Sequence, residues 1–377
     1  MSCRNYILLK MNTKQNFFDQ LDGGWGDLIA DTYKNQQETF EPTYTNINGV
    51  KIVEQFKYAY SNGEGVKGLL SLDPDLVRIE SHAFHSCEGL IGPLIFPDSV
   101  EYIGEYAFFL CTGFHGDIVL SKNLRHIGDS AFWLCELLKG DLHFPNTLET
   151  IGKAAFEGCT GLSGTLILPE NLTIIKEETF NNCVKLTGEL NIPKYVNTIE
   201  RKAFQNCESF TKLNLPDYIK YISQWAFSNC TGLTGTLYLP DSLLEIGTGA
   251  FERCTGLTSI RFPRYLREIK SDVFSRCKGL TGTLTIPNIV MSIGRNAFYE
   301  CEGLTGLKLN NGLRVIEQYA FAECINLTGE IVIPPSVEKI DSEIFAGCDK
   351  IERIHVPKTS ALSKTWNGYC NAEVVFY

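Results

Sequence analysis

Apolar residues recur along most of the chain with a period of 23 or 24 residues, and the recurring positions define one structural unit. In one part of the unit, Leu166, Ile167 and Leu168 stand directly before Pro169, which predicts a short β-strand, with side chains pointing alternately in and out, ended by the proline. The segment before it places Ile151, Ala155 and Cys159 four residues apart, with Phe156 beside them. This spacing predicts a short helical segment with one apolar face.

A phenylalanine three residues before a cysteine marks each copy of the unit. Twelve of the 14 cysteines follow this pattern, and Cys3 and Cys370 lie outside it. The shorter spacing reflects one residue fewer in the turn before the strand, so we expect the strands of neighbouring copies to stay in register. The marker phenylalanines are Phe84, Phe108, Phe132, Phe156, Phe180, Phe204, Phe227, Phe251, Phe274, Phe298, Phe321 and Phe345.

One unit is too small to bury its own apolar residues, but stacked units bury them against each other. The periodicity therefore predicts an α/β repeat solenoid. It should contain about 12 coils of 23–24 residues, each with one strand and one short helical segment.

The consensus of the unit, L-x-I-P-x-x-V-x-x-I-G-x-x-A-F-x-x-C-x-x-L, resembles the BspA-type leucine-rich repeat of bacterial and protist surface proteins. Residues 94–111 carry it as LIFPDSVEYIGEYAFFLC, and residues 331–348 as IVIPPSVEKIDSEIFAGC. The resemblance covers about residues 66–357. It implies a right-handed solenoid with strands on one face and short helical pieces on the other. It also implies an adhesion or protein-binding role, often at a cell surface.

The ends of the repeat array are expected to be capped, since a terminal coil exposes its core. We interpret residues 1–65 as an N-terminal cap of short helices and a hairpin around Asn48-Gly49, a favoured two-residue turn. A separate recognition domain is the alternative for this segment. Residues 66–357 form the solenoid, and residues 358–377, with Trp366 and Tyr369, are expected to cover the last coil.

Charge and hydropathy restrict the partners and leave the compartment open. The net charge of −10 argues against a broad nucleic-acid surface, which needs clustered Lys and Arg. We see no transmembrane segment and no signal peptide, which favours a cytoplasmic or other intracellular location, whereas the family resemblance favours the cell surface.

The periodic cysteines have a chemical and a structural interpretation. Equivalent cysteines in stacked coils would lie near disulfide distance, but the close cysteine pairs typical of zinc sites are absent from the sequence. We favour small apolar packing residues kept reduced. We also find no metalloprotease, P-loop, dinucleotide or nucleophile-elbow motif, so we expect no enzyme, no cofactor and no metal.

The strand residues that point away from the core vary between copies, and they are the candidates for binding. Along one such column, Asn214, Tyr238, Arg261 and Lys308 form the predicted patch for a protein partner of unknown identity, because Tyr and Arg often anchor interfaces. The alternative is that these are ordinary solvated strand positions. The column starts with Ile95, Val119 and Ile167, which the N-terminal segment could cover instead. The sequence does not indicate an oligomeric state.

Overall fold

In the computed structural model, residues 39–55, 57–59, 65–341, 343–358 and 370–377 are described. The chain divides into two compact units, Met1–Thr39 and Phe40–Tyr377. The second unit is a right-handed solenoid of about 13 turns built from stacked parallel strands. Each turn has three sides, which we name the long-strand side, the short-strand side and the turn side.

The long-strand side carries strands of two to six residues that pair in parallel with those of neighbouring turns. Numbered in chain order, they are β1 (Thr39–Phe40), β4 (Gly68–Leu70), β6 (Leu90–Ile95), β8 (Phe114–Val119), β10 (Leu138–Lys139), β11 (Leu142–His143), β13 (Leu166–Ile167), β15 (Gly188–Asn191), β17 (Phe210–Asn214), β19 (Gly235–Tyr238), β21 (Leu257–Arg261), β23 (Gly282–Thr285), β25 (Leu304–Lys308), β27 (Gly329–Val332), β29 (Ile351–Val356) and β30 (Glu373–Phe376).

The short-strand side consists mainly of two-residue strands whose second residue is a mostly buried isoleucine. These strands are β2 (Thr45–Ile47), β3 (Val50–Val53), β5 (Arg78–Ile79), β7 (Tyr102–Ile103), β9 (His126–Ile127), β12 (Thr150–Ile151), β14 (Ile174–Ile175), β16 (Thr198–Ile199), β18 (Tyr221–Ile222), β20 (Glu245–Ile246), β22 (Glu268–Ile269), β24 (Ser292–Ile293), β26 (Val315–Ile316) and β28 (Lys339–Ile340).

The turn side contains the segment for which a helix was predicted, and that prediction is wrong for the described residues. The N–H of Cys159 donates to the carbonyl of Phe156, three residues earlier, whereas the N–H of Phe156 donates to Thr179 in the next turn. Ala154 adopts a positive φ of 52°, which a right-handed helix excludes. Local turns alternate with hydrogen bonds between coils, so the fold consists of strands and turns.

The marker phenylalanines form one continuous ladder of rings through the core. Neighbouring rings lie 5.0 to 5.9 Å apart between centroids, with interplanar angles between 1° and 23°. At the N-terminal end, Tyr58 stacks on Phe84 at 5.6 Å and continues the ladder by one ring. The predicted stacking of the repeat unit is thus confirmed, and Tyr58 is a rung that the Phe and Cys pattern did not reveal.

All twelve repeat cysteines are buried, and they also make hydrogen bonds. The thiol of Cys111 donates to the carbonyl of Phe84 in the preceding turn at 2.9 Å, and the thiol of Cys159 donates to that of Phe132 at 3.1 Å. Burial raises the pKa of these thiols, to about 12 for Cys230. None of the described cysteines forms a disulfide. The cysteine therefore fills space and also links consecutive coils.

The copies that are one residue shorter keep their core residues in register with their neighbours. Leu190 pairs with Leu213, and Asn191 pairs with Asn214, in the expected order. The missing residue appears as an irregularity after Gly188, at the start of β15, and the pairs β19–β21, β23–β25 and β27–β29 repeat it. The residues after the irregularity pair in register, as expected. The effect of the missing residue, however, extends from the turn into the first residue of the strand.

Both ends of the described solenoid extend the stacked strands. Near the N-terminal end, β2 and β3 pair antiparallel around Asn48 and Gly49, which both have positive φ as a two-residue hairpin turn requires. At the C-terminal end, β30 pairs in parallel with β29. The short helices expected before residue 39, and Trp366 and Tyr369, lie outside the described residues.

Candidate functional site

The candidate site lies on the outer face of the long-strand side. In β19, Leu237 is buried, while Thr236 and Tyr238 on either side of it are exposed. This alternation follows from the strand pleat, because one side of each strand faces the stacked core and the other faces solvent. Only the outward residue can vary from coil to coil without disturbing the packing.

Tyr238 and Arg261 are direct neighbours at the centre of this face. They pair across β19 and β21, and 62% of Tyr238 is exposed. No acidic side chain of the described residues lies within ion-pair distance of Arg261. An exposed tyrosine beside an arginine without an ionic partner is an arrangement that protein interfaces use as an anchor.

Asn214 is next to Tyr238 in the column, but its side chain is already engaged. Its amide nitrogen donates to Glu189 at 2.9 Å and to Asn191 at 2.7 Å, and the residue is only partly exposed. These hydrogen bonds tie the Asn214 amide to side chains of the neighbouring strand. Of the four predicted residues, Asn214 is therefore the least available to a partner.

Lys308 is exposed and lies two strands beyond Arg261, with Thr285 between them. Paired strands are about 4.8 Å apart, and β21 and β23 belong to separate sheets, so the two cationic residues are separated by at least about 10 Å at the backbone. Lys308 forms no ion pair with any described residue. The structure thus brings Tyr238 and Arg261 into contact range and places Lys308 farther along the same face.

The N-terminal part of the same column is apolar. Ile95, Val119 and Ile167 are 55%, 47% and 52% exposed among the described residues, and His143 stands between the last two. A segment able to cover them was expected before residue 65. Most of that segment lies outside the described residues, so this interpretation stays a prediction.

The turn side carries aromatic side chains at its N-terminal end. His85 stacks on Phe109 at 4.6 Å, and Phe109 stacks on Trp133 at 4.5 Å. Beside this stack, His82 lies on Tyr106 at 4.9 Å. Burial, with a smaller contribution from His82, lowers the pKa of His85 from 6.5 to about 4.

At the C-terminal end of the turn side, the positions equivalent to Phe109 and Trp133 hold small residues apart from Tyr299, and a cavity of about 450 Å³ opens. Ser275, Ala322 and Ala346 line it together with Tyr299. Glu252 also lines it, and burial raises the pKa of that carboxyl. The sequence analysis missed this cavity, although the loss of large residues at one repeat position was a signal.

A second feature that the sequence analysis missed is a row of exposed tyrosines two residues after the strand proline. Several other copies have a short polar residue here, as where the hydroxyl of Ser242 donates to the carbonyl of Ile219 at 2.7 Å. Tyr195, Tyr218 and Tyr265 replace it and are 49%, 65% and 64% exposed. The sequence signal is the motif P-x-Y in these three copies.

Clusters of metal-ligating side chains and membrane-spanning helices are both absent from the part of the chain that the structure describes. Among these residues, no three His, Cys, Asp or Glu side chains are arranged to hold a metal ion. The same residues include no helix that is long and apolar enough to cross a bilayer.

Comparison with known families agrees with the geometry of the stacked coils. The model of the BspA type leucine rich repeat region (6 copies) matches residues 44–163, 77–188, 164–281 and 280–366. This chain belongs to the BspA-type leucine-rich repeat family. The resemblance inferred from the repeat unit is therefore confirmed. No curated protein matches the chain.

Solved structures of similar fold come from bacterial leucine-rich repeat proteins. One from Bacteroides ovatus is 24% identical with a TM-score of 0.72, and the match covers 89% of this chain and 92% of that chain. A leucine-rich cell surface protein from Faecalibacterium prausnitzii is 21% identical with a TM-score of 0.52, over 88% and 92% of the two chains. At these identities, the likeness shows the BspA-type solenoid fold and no more.

Proposed function

We propose that this BspA-type chain is a non-enzymatic module that binds a protein partner through the outer face of its long-strand side. The patch is Asn214, Tyr238, Arg261 and Lys308, with Tyr238 and Arg261 as its centre. The observation that carries the proposal is the exposed Tyr238 beside an arginine without an ionic partner among the described residues. Large aromatic and arginine side chains dominate the binding energy of protein interfaces.

An adhesion or surface-antigen role at the cell surface is the form of binding that we favour. The support is family membership and the description of one structural neighbour as a cell surface protein. We further propose that residues 1–65 and 358–377 cap a solenoid of residues 66–357. In the described part, Tyr58 stacks on the first phenylalanine of the ladder, as a cap would require.

An intracellular scaffold or a structural subunit of a larger assembly is the second candidate, and the cysteines favour it. Their thiols donate to backbone carbonyls at 2.9 to 3.2 Å, an arrangement that needs the reduced form. Many buried thiols suit a reducing compartment better than the cell exterior. Fractionation of cells that make the protein separates the two candidates.

A capture experiment with matched variants tests the binding face. Purified protein is immobilised as wild type, as Y238A/R261A, and as Y218A/R267A, which removes the same residue types from exposed positions outside the long-strand side. A specific partner should be retained by the wild type and by Y218A/R267A, and retained at least tenfold less by Y238A/R261A. The two variants should unfold at the wild-type temperature, because all four side chains are exposed.

Equal retention by all three proteins contradicts the proposed face. Loss in Y218A/R267A alone also contradicts it, since the partner would then bind at the row of exposed tyrosines.

A further inference from the structure

The part of the long-strand side that runs from Tyr238 to Lys308, here named the cationic strip, has positive charge without balancing acid. Among the outward positions of the described long-strand-side strands, none between Glu189 and Glu330 is acidic. Arg261 and Lys308 lie within this interval and form no ion pair with described residues. The strip therefore presents two separate unneutralised cations on a chain whose net charge is −10.

On both sides of the cationic strip, the basic residues of the long-strand side form ion pairs with acidic residues, unlike Arg261 and Lys308 within it. Lys212 lies 3.5 Å from Glu189 at one border. At the other, Arg353 lies 2.8 Å from Glu330 and 2.9 Å from Glu373. The stacked geometry thus pairs opposite charges of neighbouring coils where acids are present, and the strip lacks those acids.

We propose that the cationic strip binds an extended acidic segment of the partner protein. The proposal rests on the protein-binding function proposed above and adds the chemistry of the bound segment. Carboxylates of the segment would lie on Arg261 and Lys308, and its chain would pass near the exposed ring of Tyr238. Uncompensated charge of one sign attracts a partner of the opposite sign and sets its register.

The spacing of the two cations agrees with an extended peptide. They are about 10 Å apart or somewhat more, since two strand steps separate them and β21 and β23 are not paired. A polyproline II segment rises about 3.1 Å per residue and returns the same face every third residue, so acidic residues three apart match this distance. A polypeptide is favoured over an anionic polysaccharide because an exposed tyrosine beside an arginine is typical of protein interfaces.

Binding of synthetic peptides to the full chain tests the proposal. The probe is a fluorescein-labelled, proline-rich peptide with Glu at every third position, and the matched peptide has Gln instead. By fluorescence anisotropy, we expect the Glu peptide to bind at least tenfold more tightly, with an affinity that falls as salt rises. Arg261→Glu and Lys308→Glu should each weaken binding at least tenfold. Arg267→Glu reverses an exposed arginine outside the strip and should leave binding unchanged.

Equal binding of the Glu and Gln peptides at low salt overturns the proposal, as does equal weakening by Arg261→Glu and Arg267→Glu. Dextran sulfate serves as a second probe. The choice of a polypeptide is overturned if the full chain binds dextran sulfate more tightly than the Glu peptide and if Arg261→Glu loses this binding. If Y238A/R261A loses a captured protein but the Glu peptide does not bind, the protein-binding function stands and the acidic segment is wrong. If the Glu peptide binds but the capture experiment fails, the proposed function is wrong.

Discussion

The two ends of the turn side have the same backbone hydrogen-bond pattern and differ in the side chains that pack over it. Near the N-terminus, His85, Phe109 and Trp133 stack in a column over the backbone. Near the C-terminus, the same repeat position holds Ser275, Ala322 and Ala346 around a single ring, that of Tyr299, and a cavity of about 450 Å³ takes the place of a continuous stack. The comparison shows that the position after the marker phenylalanine accepts side chains from alanine to tryptophan while the hydrogen-bonded coil is kept.

The phenylalanine ladder and the hydrogen bonds between turns are what both ends retain. Phe132 and Phe298 are fully buried and stack on rings above and below. Their N–H groups donate to Ala155 and Ala320 in the following turns at 2.8 Å. Substitutions in the ladder should therefore change stability equally at the two ends. Substitutions at the position after the marker phenylalanine should have different effects at the two ends.

The largest effect should come from removing a ladder ring, and it should be equal at both ends. Phe132→Ala and Phe298→Ala should each lower the free energy of unfolding by about 3–5 kcal/mol, because each leaves a cavity between two stacked rings. Urea denaturation measures both. Ile167→Ala, at an exposed position, is the control and should stay within about 0.5 kcal/mol of wild type. Clearly unequal losses for the two phenylalanines would show that the ends do not share one frame.

Removing a ring from the covering layer should matter only at the N-terminal end. Trp133→Ala should cost about 1–3 kcal/mol, since it loses the stack on Phe109 and part of its buried area. Tyr299→Ala, at the edge of the cavity, should cost less than about 1 kcal/mol. The same denaturation series measures both. A larger loss for Tyr299→Ala would reverse the comparison.

The N-terminal end should also lose stability in acid through His85. Its pKa is lowered to about 4 in the folded protein, from 6.5, so the unfolded chain binds more protons between these values. Stability therefore falls as the pH drops from about 6.5 towards 4. His85→Phe keeps a ring for the stack on Phe109 and removes the titrating group. Melting temperatures at pH 7 and pH 5 should differ less for this variant than for wild type, and identical differences would exclude the effect.

The smallest effect should come from filling the C-terminal cavity. Ala322→Phe places a ring at the repeat position where Phe109 and Trp133 carry theirs, on a buried residue that lines the cavity together with Tyr299. We expect stability within about 1 kcal/mol of wild type, because the cavity can take the ring without compressing the core. A loss of about 3 kcal/mol or more in urea would mean that the position is packed after all.

Much of the fold could be predicted because the repeat constrains the same positions twelve times. The inward columns, the strands before the prolines and the stacking of units all follow from period and polarity. The prediction of a short helical segment in each coil was wrong for a physical reason. Apolar residues four apart, such as Ala155 and Cys159, also face inward in a chain of tight turns whose alternate N–H groups reach the next coil. Spacing alone does not reveal where those hydrogen bonds go.

The candidate site was predictable only in outline. Tyr238 and Arg261 occupy equivalent positions in successive copies of the repeat, so they were expected to be neighbours, and their strands pair them directly. The engagement of Asn214 by Glu189 and Asn191 depends on side-chain geometry across coils, and no pattern of residues indicated it. The cavity beside Ala322 likewise required the backbone path of several coils at once.

By itself, the sequence determined the family, the repeating unit and which residues face the core, because burial of the same apolar positions is the condition for stacking. The tertiary structure decided that the segment around each repeat cysteine is a series of turns and that the thiols hydrogen-bond to the preceding coil. It also decided that Arg261 and Lys308 form no ion pair with any residue that the structure describes. These outcomes depend on contacts between residues more than 20 positions apart, and only the stacked chain brings such residues together.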